Sequence, residues 1–392
     1  MAVATKPTME GLLHLLVEQG ATDLHLSANM PPHLRVDDRL LPTDHGPLSG
    51  DDVKELAYSL IPPEKVERFE RWKELDFAFS IEGLARFRAN YFIQQGYVGA
   101  AIRMLPFRIM GFSELGLPVK VVTDLCEKPK GLVLITGATG SGKTTTLASM
   151  VDYLNTNKEF HIITIEDPIE YIHTSRRSVI DQRELGNDTQ SFAQGLKHVL
   201  RQDPDVILIG EMRDKETASI GVEASLTGHL VLSTLHTNSA PETLTRLLDL
   251  GLDPVNFSDA LLGVLAQRLM RTLCGSCKES YTPEQRDIDH LIHEFGGEEL
   301  WAKQELTPDK WNFKRKVGCD TCGGSGYRGR TGVHELLRGT RDMQKMIYNK
   351  EELSAIREQA IADGMLTLKQ DGIVKIFKGF SDYQQLLRIT GE

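Results

Sequence analysis

Residues 137–144 carry the clearest chemical pattern in this sequence. They read GATGSGKT and match the phosphate-binding pattern G-x-x-x-x-G-K-[ST] in full, between the apolar run 131–136 and a helical pattern, so a chance glycine-rich turn is the weaker alternative. In such a P-loop, backbone N–H groups at a helix N-terminus surround a β-phosphate. Lys143 is expected to neutralise the β- and γ-phosphate oxygens, and the Thr144 hydroxyl is expected to ligate Mg²⁺. The residues predicted to bind ATP are Gly137, Ala138, Thr139, Gly140, Ser141, Gly142, Lys143, Thr144 and Thr145.

Carboxylates that could act on a bound phosphate follow two other apolar runs. Glu211 follows the run 205–210, and Gly210 stands where many P-loop enzymes have an Asp that holds Mg²⁺ through water. The metal must therefore rely on Thr144, the phosphates and a second carboxylate. The segment ITIEDPIE supplies the candidates Glu166, Asp167 and Glu170. Such strand-end carboxylates can instead be helix caps.

Two histidines, His229 and His236, lie at opposite ends of the predicted strand in TGHLVLSTLHTN. His229 follows Thr227 and Gly228 directly, and this position favours it as the sensor of a γ-phosphate. A structural role is the alternative for either histidine.

Four of the five cysteines form two C-x-x-C pairs: Cys274 with Cys277, and Cys319 with Cys322. Four thiolates around one tetrahedral ion make Zn²⁺ the expected metal, in a structural role because no coordination position is left open. A redox pair or coincidence is the alternative. The intervening residues 278–318 are predicted to form a helical insertion, and Cys126 to be a small buried hydrophobe.

The surrounding sequence has the texture of an α/β protein. Continuous apolar runs at 131–136, 161–167, 205–210 and 229–235 are typical of strands buried on both faces of a parallel sheet. Helical segments at 191–202 and 214–227 separate them. These elements predict a doubly wound nucleotide-binding sheet within a domain at 119–392, followed after about residue 265 by a four-cysteine metal module (274–322) and C-terminal helices.

The first 105 residues have a different pattern and predict a small α+β domain with a mainly antiparallel sheet, joined through a linker at 106–118. In the strand ARFRANYF, alternation directs Arg86, Arg88 and Asn90 away from the apolar face, and Arg103 lies on the next strand. A solvated outer face is the alternative explanation of these arginines.

The composition limits the class of protein. There is no apolar run of 18 residues and no signal-peptide pattern, so a cytoplasmic location is expected. The formal net charge of −10 argues against sequence-independent binding of nucleic acid. For the local cluster Lys310, Lys314, Arg315 and Lys316, a solvated loop is favoured over a nucleic-acid patch.

Taken together, GATGSGKTTT, ITIEDPIE, ILIGEMRD and TGHLVLSTLHTN resemble the motifs of the secretion-ATPase superfamily, which includes type II secretion ATPases and type IV pilus assembly and retraction ATPases. The segments ATDLHLS, ARFRANYF, LAQRLMRTLC and DGMLTLKQDG extend the resemblance over almost the whole chain. It implies a homohexameric ring in which a PAS-like domain precedes a RecA-like P-loop ATPase core, with nucleotide between subunits.

The resemblance also implies roles for individual residues. Glu211 resembles the residue that activates the attacking water, Glu166 a second acidic residue near Mg²⁺, and His229 the residue that couples the γ-phosphate to subunit motion. Arg88 and Arg103 match arginines that reach a neighbour's phosphates.

Two features bear on the subtype. The cysteine pairs resemble the metal module of assembly and secretion ATPases. The Ala-Ile-Arg-Asn-Leu motif typical of retraction ATPases does not occur in the sequence, and the nearest stretch reads MQKMIYNKEEL. The chain nevertheless starts at the PAS-like domain, as retraction ATPases do. We therefore expect a motor for pilus assembly or type II secretion that associates peripherally with the inner membrane through a platform protein. Pilus retraction, a nucleotide-gated ring that barely hydrolyses ATP, and a conjugation-type nucleic-acid translocase are the alternatives.

Overall fold

The computed structural model describes residues 6–36, 39–105, 108–304 and 306–391. Residues 106 and 107 of the predicted linker, and residues 1–5, 37 and 38 of the predicted first domain, lie outside the described residues. The chain divides into two compact units. The N-terminal unit comprises Met1–Ile109 with Pro168–Ile172, and the C-terminal unit comprises Met110–Asp167 with His173–Glu392.

The N-terminal unit is a six-stranded antiparallel sheet with helices on one face. Its helices are α1 (Met9–Glu18), α2 (Gly50–Tyr58) and α3 (Pro63–Trp72). Its strands are β1 (Asp23–Leu26), β2 (His33–Val36), β3 (Arg39–Pro42), β4 (Glu74–Ile81), β5 (Ala85–Gln94) and β6 (Tyr97–Leu105), in the order β3-β2-β1-β6-β5-β4.

Side-chain alternation places the core of this unit on one face of the sheet. On β5, Phe87, Ala89 and Tyr91 are fully buried, whereas the residues between them are half-buried on the other face. The Tyr91 hydroxyl donates to the Ala57 carbonyl on α2 at 2.8 Å, so a buried polar group of the sheet is satisfied by a covering helix. The other face is left for the arginines.

The C-terminal unit is built on a seven-stranded sheet. The strands of that sheet are β7 (Gly131–Thr136), β8 (His161–Glu166), β9 (Val179–Glu184), β10 (Val206–Ile209), β11 (Leu230–Leu235), β12 (Leu261–Leu273) and β15 (Tyr327–Arg338). The two-residue strands β13 (Glu279–Ser280) and β14 (Lys314–Arg315) form a separate ladder. The helices of the unit are α4 (Val119–Cys126), α5 (Lys143–Asn157), α6 (Phe192–Val199), α7 (Lys215–Leu226), α8 (Ala240–Asp249), α9 (Pro254–Ala260), α10 (Gln285–Phe295), α11 (Glu298–Ala302), α12 (Arg341–Asn349), α13 (Leu353–Ala362), α14 (Leu368–Phe377) and α15 (Tyr383–Thr390).

The strand order is β15-β12-β7-β11-β10-β8-β9, and every neighbouring pair is parallel except β15 with β12. Apolar cores lie on both faces of this sheet, which is why β7, β10 and β11 are buried at every position. The predicted α/β fold with a parallel core is confirmed.

The region after residue 265 differs from the sequence-based expectation. It contains most of the 13-residue strand β12 and the 12-residue strand β15, which form a long antiparallel pair before the C-terminal helices. The insertion at 278–318 does contain two helices, α10 and α11, beside the small β13–β14 ladder. No helix within the described part of the chain is long and apolar enough to cross a membrane.

Candidate functional site

The P-loop lies between the end of β7 and the start of α5. Gly137 and Gly142 have φ angles of 145° and 89°, in the region that favours glycine. A Cβ on Gly137 would lie 2.4 Å from the carbonyl oxygen of Gln267, and one on Gly142 would lie 2.7 Å from its Nε2. Both glycines are therefore required by backbone conformation and by the close approach of β12.

Lys143 begins α5, and its ammonium group is buried inside the loop. Nζ donates to the carbonyl oxygens of Gly137 at 2.9 Å and Ala138 at 3.1 Å. An ammonium group held by carbonyl dipoles, at the N-terminus of a 15-residue helix, is placed to bind phosphate oxygens. Thr144, the following residue, is half-buried at the same helix end.

Gln267 on β12 braces the P-loop, and sequence reasoning missed it. Its Nε2 donates to the Ser141 carbonyl at 2.7 Å, and its Oε1 accepts from the Thr146 hydroxyl at 2.7 Å. Its amide thus ties the loop to the first turn of α5. It lies inside the segment LAQRLMRTLC, but a buried glutamine in an apolar run shows its partners only when β12 is known to pair with β7.

Strand register brings the predicted carboxylates to the P-loop edge of the sheet. Strands β7, β8, β10 and β11 are parallel, so their C-terminal ends share one edge, which we call the carboxyl edge. Glu211 follows β10 there and is largely buried. Its Oε2 accepts from Arg213 Nε at 2.8 Å, and its Oε1 lies 3.4 Å from His236 Nε2.

Glu166 ends β8 at the same edge, where two uncharged groups donate to its carboxylate. The Thr164 hydroxyl donates to Oε1 at 2.7 Å, and the Gln182 amide donates to the same oxygen at 3.2 Å. Gln182 also accepts from the backbone N–H of His173 at 2.8 Å. Glu166 is therefore a fixed carboxylate and is not a helix cap.

The structure places His229 away from the predicted phosphate contacts. It precedes β11 and stands beside Gly131, where β7 begins, and its Nδ1 contacts the Ala224 carbonyl at 2.9 Å. The six residues of β11 separate it from the carboxyl edge by about 20 Å. His236, at the other end of the strand, is the histidine beside Glu211. The direction of β11 thus places His236, and not His229, at the carboxyl edge.

Arg88 and Arg103 lie directly opposite each other on β5 and β6, on the outward face of the N-terminal sheet. Arg103 Nε donates to Asp23 at 2.8 Å, and its side chain is 64% exposed. Arg88 Nη2 lies 3.9 Å from Asp76 Oδ1, and Arg88 Nη1 lies 3.7 Å from Glu170 Oε1. Both guanidinium groups are on an accessible face, as expected from the alternation of the strands.

The acidic segment divides after Asp167. Residues 168–172 group with the N-terminal unit, where Arg86 donates through Nε and Nη2 to the Ile169 carbonyl at 3.2 and 2.9 Å. Glu170 contacts Arg88 in that unit, whereas Glu166, which ends β8, and Asp167, which follows it, belong to the C-terminal unit.

The four paired cysteines converge in the C-terminal unit, with all Sγ atoms within 4.8 Å of one another. The separations are 4.0 Å for Cys274–Cys319, 3.9 Å for Cys277–Cys322 and 3.8 Å for Cys319–Cys322. A tetrahedron with Zn–S bonds of about 2.3 Å has edges of about 3.8 Å, so the donor set fits Zn²⁺.

Backbone N–H groups also point at these sulfurs. Gly318 donates to Cys277 at 3.3 Å, and Gly326 donates to Cys322 at 3.3 Å. The N–H of Cys319, at 3.2 Å, is the main cause that lowers the pKa of Cys322 to about 6, which favours the metal-binding thiolate. By contrast, burial raises the pKa of the lone Cys126 to about 12.

Similarity to known proteins is consistent with the arrangement of the P-loop and the strand-end residues. A family model described as "Type II/IV secretion system protein" matches residues 100–388. The chain belongs to the Type II/IV secretion system protein family.

Its similarity extends to relatives that carry different names. The chain is 44% identical over 270 residues to the type IV pilus retraction ATPase PilT of Pseudomonas aeruginosa, covering 67% of this chain and 78% of PilT. It is 43% identical over 273 residues to the type II secretion system protein E of Aeromonas hydrophila, covering 69% of this chain and about half, 51%, of that protein. The crystal structure of the pilus retraction motor PilT with bound ADP superposes with a TM-score of 0.77 at 34% identity over 98% of both chains.

The brace formed by Gln267 predicts a specific loss in this family member. Gln267→Met preserves the approximate side-chain volume but leaves the Thr146 hydroxyl and the Ser141 carbonyl without this partner. The loss destabilises the P-loop conformation by roughly 1–3 kcal/mol. Because the lost bonds hold the P-loop, we expect ATP affinity, measured by calorimetric titration, to fall about tenfold or more.

The matched control is Gln344→Met on α12, a half-buried glutamine far along the chain from the P-loop. It should bind ATP as the wild type does. Equal affinities for the wild type and Gln267→Met would show that the loop does not depend on this brace.

Proposed function

We propose that this protein is a motor ATPase that couples ATP hydrolysis to type IV pilus assembly or type II protein secretion. The observation that carries the proposal is the carboxyl edge itself. There a complete P-loop, a largely buried glutamate with a histidine beside it, and a second fixed glutamate lie at the ends of parallel strands. ATPase activity agrees with the family to which the chain belongs.

In the proposed reaction, the P-loop N–H groups and Lys143 bind the β- and γ-phosphates. Glu211 accepts a proton as the oxygen of water attacks the γ-phosphorus and the bond to the ADP oxygen breaks. His236 and Arg213 contact the two oxygens of Glu211 and hold its carboxylate in place. We therefore propose that the His236 ring responds to the phosphates bound at the site and passes that change to β11 and α8.

Two metals complete the proposal. Mg²⁺ would be held by the Thr144 hydroxyl and the ATP phosphates, with Glu166 as the acidic residue nearby, and would neutralise phosphate charge. Zn²⁺ would be held by Cys274, Cys277, Cys319 and Cys322, where it would fold the glycine-rich segment 318–326 against the ladder of β12 and β15.

The working form proposed is a homohexameric ring. Arg88 and Arg103 are on an outward face of a unit that does not contain the P-loop. Such arginines would contribute charge to the phosphates of a neighbouring copy, in trans. The ring would act on the cytoplasmic side of the inner membrane through a platform protein of the pilus or secretion machine.

The direction of work is the finer part of the proposal. The cluster of four cysteines fits the metal module that the sequence resemblance assigns to assembly and secretion ATPases, and protein E relatives are about as similar to this chain as PilT is. Pilus retraction is the second candidate, because the structure of the motor PilT superposes over nearly the whole chain. We favour assembly or secretion on the strength of the thiolate cluster.

The central test is a pair of substitutions at the carboxyl edge. Lys143→Ala should abolish hydrolysis and most ATP binding, because the phosphates lose a buried counter-charge. Glu211→Gln should bind ATP normally and lose turnover by on the order of a hundredfold or more, because an amide cannot accept the proton of water. Phosphate release and calorimetric ATP binding are measured on both variants, and equal turnover in wild type and Glu211→Gln would remove Glu211 from the mechanism.

The metal site predicts about one zinc ion per chain after purification under reducing conditions. Cys319→Ser should release the zinc and lower the unfolding temperature of the C-terminal unit, because the metal organises segments far apart in the sequence. The matched control is Cys126→Ala, a buried thiol outside the cluster, which should retain the metal. Metal analysis that finds no zinc in the reduced wild type would contradict the site.

Action in trans predicts complementation between two strongly impaired variants. Lys143→Ala and Arg103→Ala are mixed under conditions that allow subunit exchange, and phosphate release is measured. Some interfaces then combine an intact P-loop from one chain with an intact Arg103 from the other, so part of the activity should return. Each variant is also mixed with wild type at increasing ratios. If the arginine acts in cis, activity is proportional to the wild-type fraction. If all sites of a ring must function together, activity falls more steeply than that fraction.

A further inference from the structure

The outward face of the N-terminal sheet carries a row of charged residues that the proposed reaction uses only in part. Strand register aligns Arg35 on β2, Asp23 on β1, Arg103 on β6 and Arg88 on β5. Residues directly opposite each other in an antiparallel sheet project from the same face. Three guanidinium groups and one carboxylate therefore lie side by side, and we call them the charged row.

Asp23 is the carboxylate of the charged row, and its side chain is only 10% exposed. Oδ1 accepts from Arg103 Nε at 2.8 Å, and Oδ2 accepts from the Thr22 hydroxyl at 2.7 Å. Arg35 Nε lies 3.8 Å from Oδ2. Because both oxygens are engaged, the carboxylate has a fixed orientation, and so has the guanidinium that it holds.

The nitrogen of Arg103 that donates to Asp23 determines which of its other donors remain available to a ligand. It is Nε, at the base of the planar guanidinium, whereas the two terminal Nη nitrogens lie at the far end of the group. The side chain is 64% exposed even though Nε is engaged. An arginine anchored in this way presents its terminal donors to an incoming phosphate with little loss of rotamer freedom on binding.

The electrostatics of the row support the same role. Arg88 and Arg103 are cross-strand partners, and like charges in that position destabilise a sheet. The carboxylates near Arg88 are 3.7 and 3.9 Å away, beyond hydrogen-bond distance, so they hold its guanidinium less firmly. Asp23 thus offsets part of the repulsion and, unlike the carboxylates near Arg88, holds its arginine in a defined position through a hydrogen bond.

We propose that Asp23 is a positioning residue for Arg103, which it holds ready for the phosphates of ATP bound by a neighbouring copy of this chain. The inference rests on the proposed function, in which Arg103 acts in trans. It also gives a role to the Asp of the segment ATDLHLS, which the P-loop chemistry does not use.

The test is a double-mutant cycle on the full-length chain. ATP hydrolysis is measured for wild type, Asp23→Ala, Arg103→Ala and the double variant. Asp23→Ala should lower kcat by on the order of tenfold to a hundredfold, as expected for a misplaced catalytic group, with KM for ATP changed by less than about twofold. The double variant should be no slower than Arg103→Ala, because Asp23 acts only through Arg103.

Two further variants separate positioning from folding. Asp23→Asn keeps an oxygen that can accept from Arg103 Nε, so it should recover part of the kcat lost in Asp23→Ala. Asp44→Ala, at an exposed loop position of the same unit, is the matched control and should behave as wild type. Oligomeric size and unfolding temperature are recorded for each variant, and Asp23→Asn carries the test if Asp23→Ala does not assemble.

The outcomes distinguish this inference from the proposed function. If Arg103→Ala hydrolyses ATP at the wild-type rate, the trans role of Arg103 fails, and the positioning role fails with it. If Arg103→Ala is impaired while Asp23→Ala and Asp23→Asn are not, only the positioning role is overturned. It is also overturned if the double variant is slower than Arg103→Ala by the full factor seen for Asp23→Ala, because the two residues then act independently.

Discussion

The close approach of two backbones, at Gly137 and Gln267, is the constraint on which the candidate site depends. A Cβ at Gly137 would lie 2.4 Å from the Gln267 carbonyl, so the P-loop can leave β7 at this angle only with glycine there. The same approach puts the Gln267 amide between Ser141 and Thr146. The parallel register of β12 with β7, and of β7 with β11, therefore sets the shape of the loop and its distance from the neighbouring strand ends.

Beyond the loop itself, the charged side chains at the carboxyl edge are each held by specific partners. Lys143 is buried, and its ammonium group donates to two carbonyl oxygens, which replace part of its lost contact with water. Glu211 is held between a cation and an imidazole, whereas a hydroxyl and an amide donate to Glu166. The two carboxylates thus have different surroundings, in line with the separate roles proposed for them.

Much of this arrangement could be predicted from the sequence, because buried parallel strands are short apolar runs and the P-loop pattern includes its own structural context. Four features could not. The choice between His229 and His236 depends on the direction of β11 in the sheet. The contacts of Gln267 become visible only once β12 is known to pair with β7. The apolar run of β12 has no periodicity that would distinguish a strand from a helix. The division of the acidic segment at Asp167 depends on contacts with Arg86 and Arg88, about 80 residues earlier in the chain.

The outer face of the N-terminal sheet carries charged residues that the fold itself does not require. Its inner face follows simple alternation and is filled with apolar side chains, so the fold does not require cations on the outer face. Two arginines directly opposite each other repel, and a solvated face could carry any polar residue in their place. A nearly buried aspartate that bonds to one of them at Nε offsets the repulsion without consuming its terminal donors. In the proposed trans arrangement, the terminal donors of Arg103 would thus remain available for the phosphates of a neighbouring copy while Nε stays anchored to Asp23.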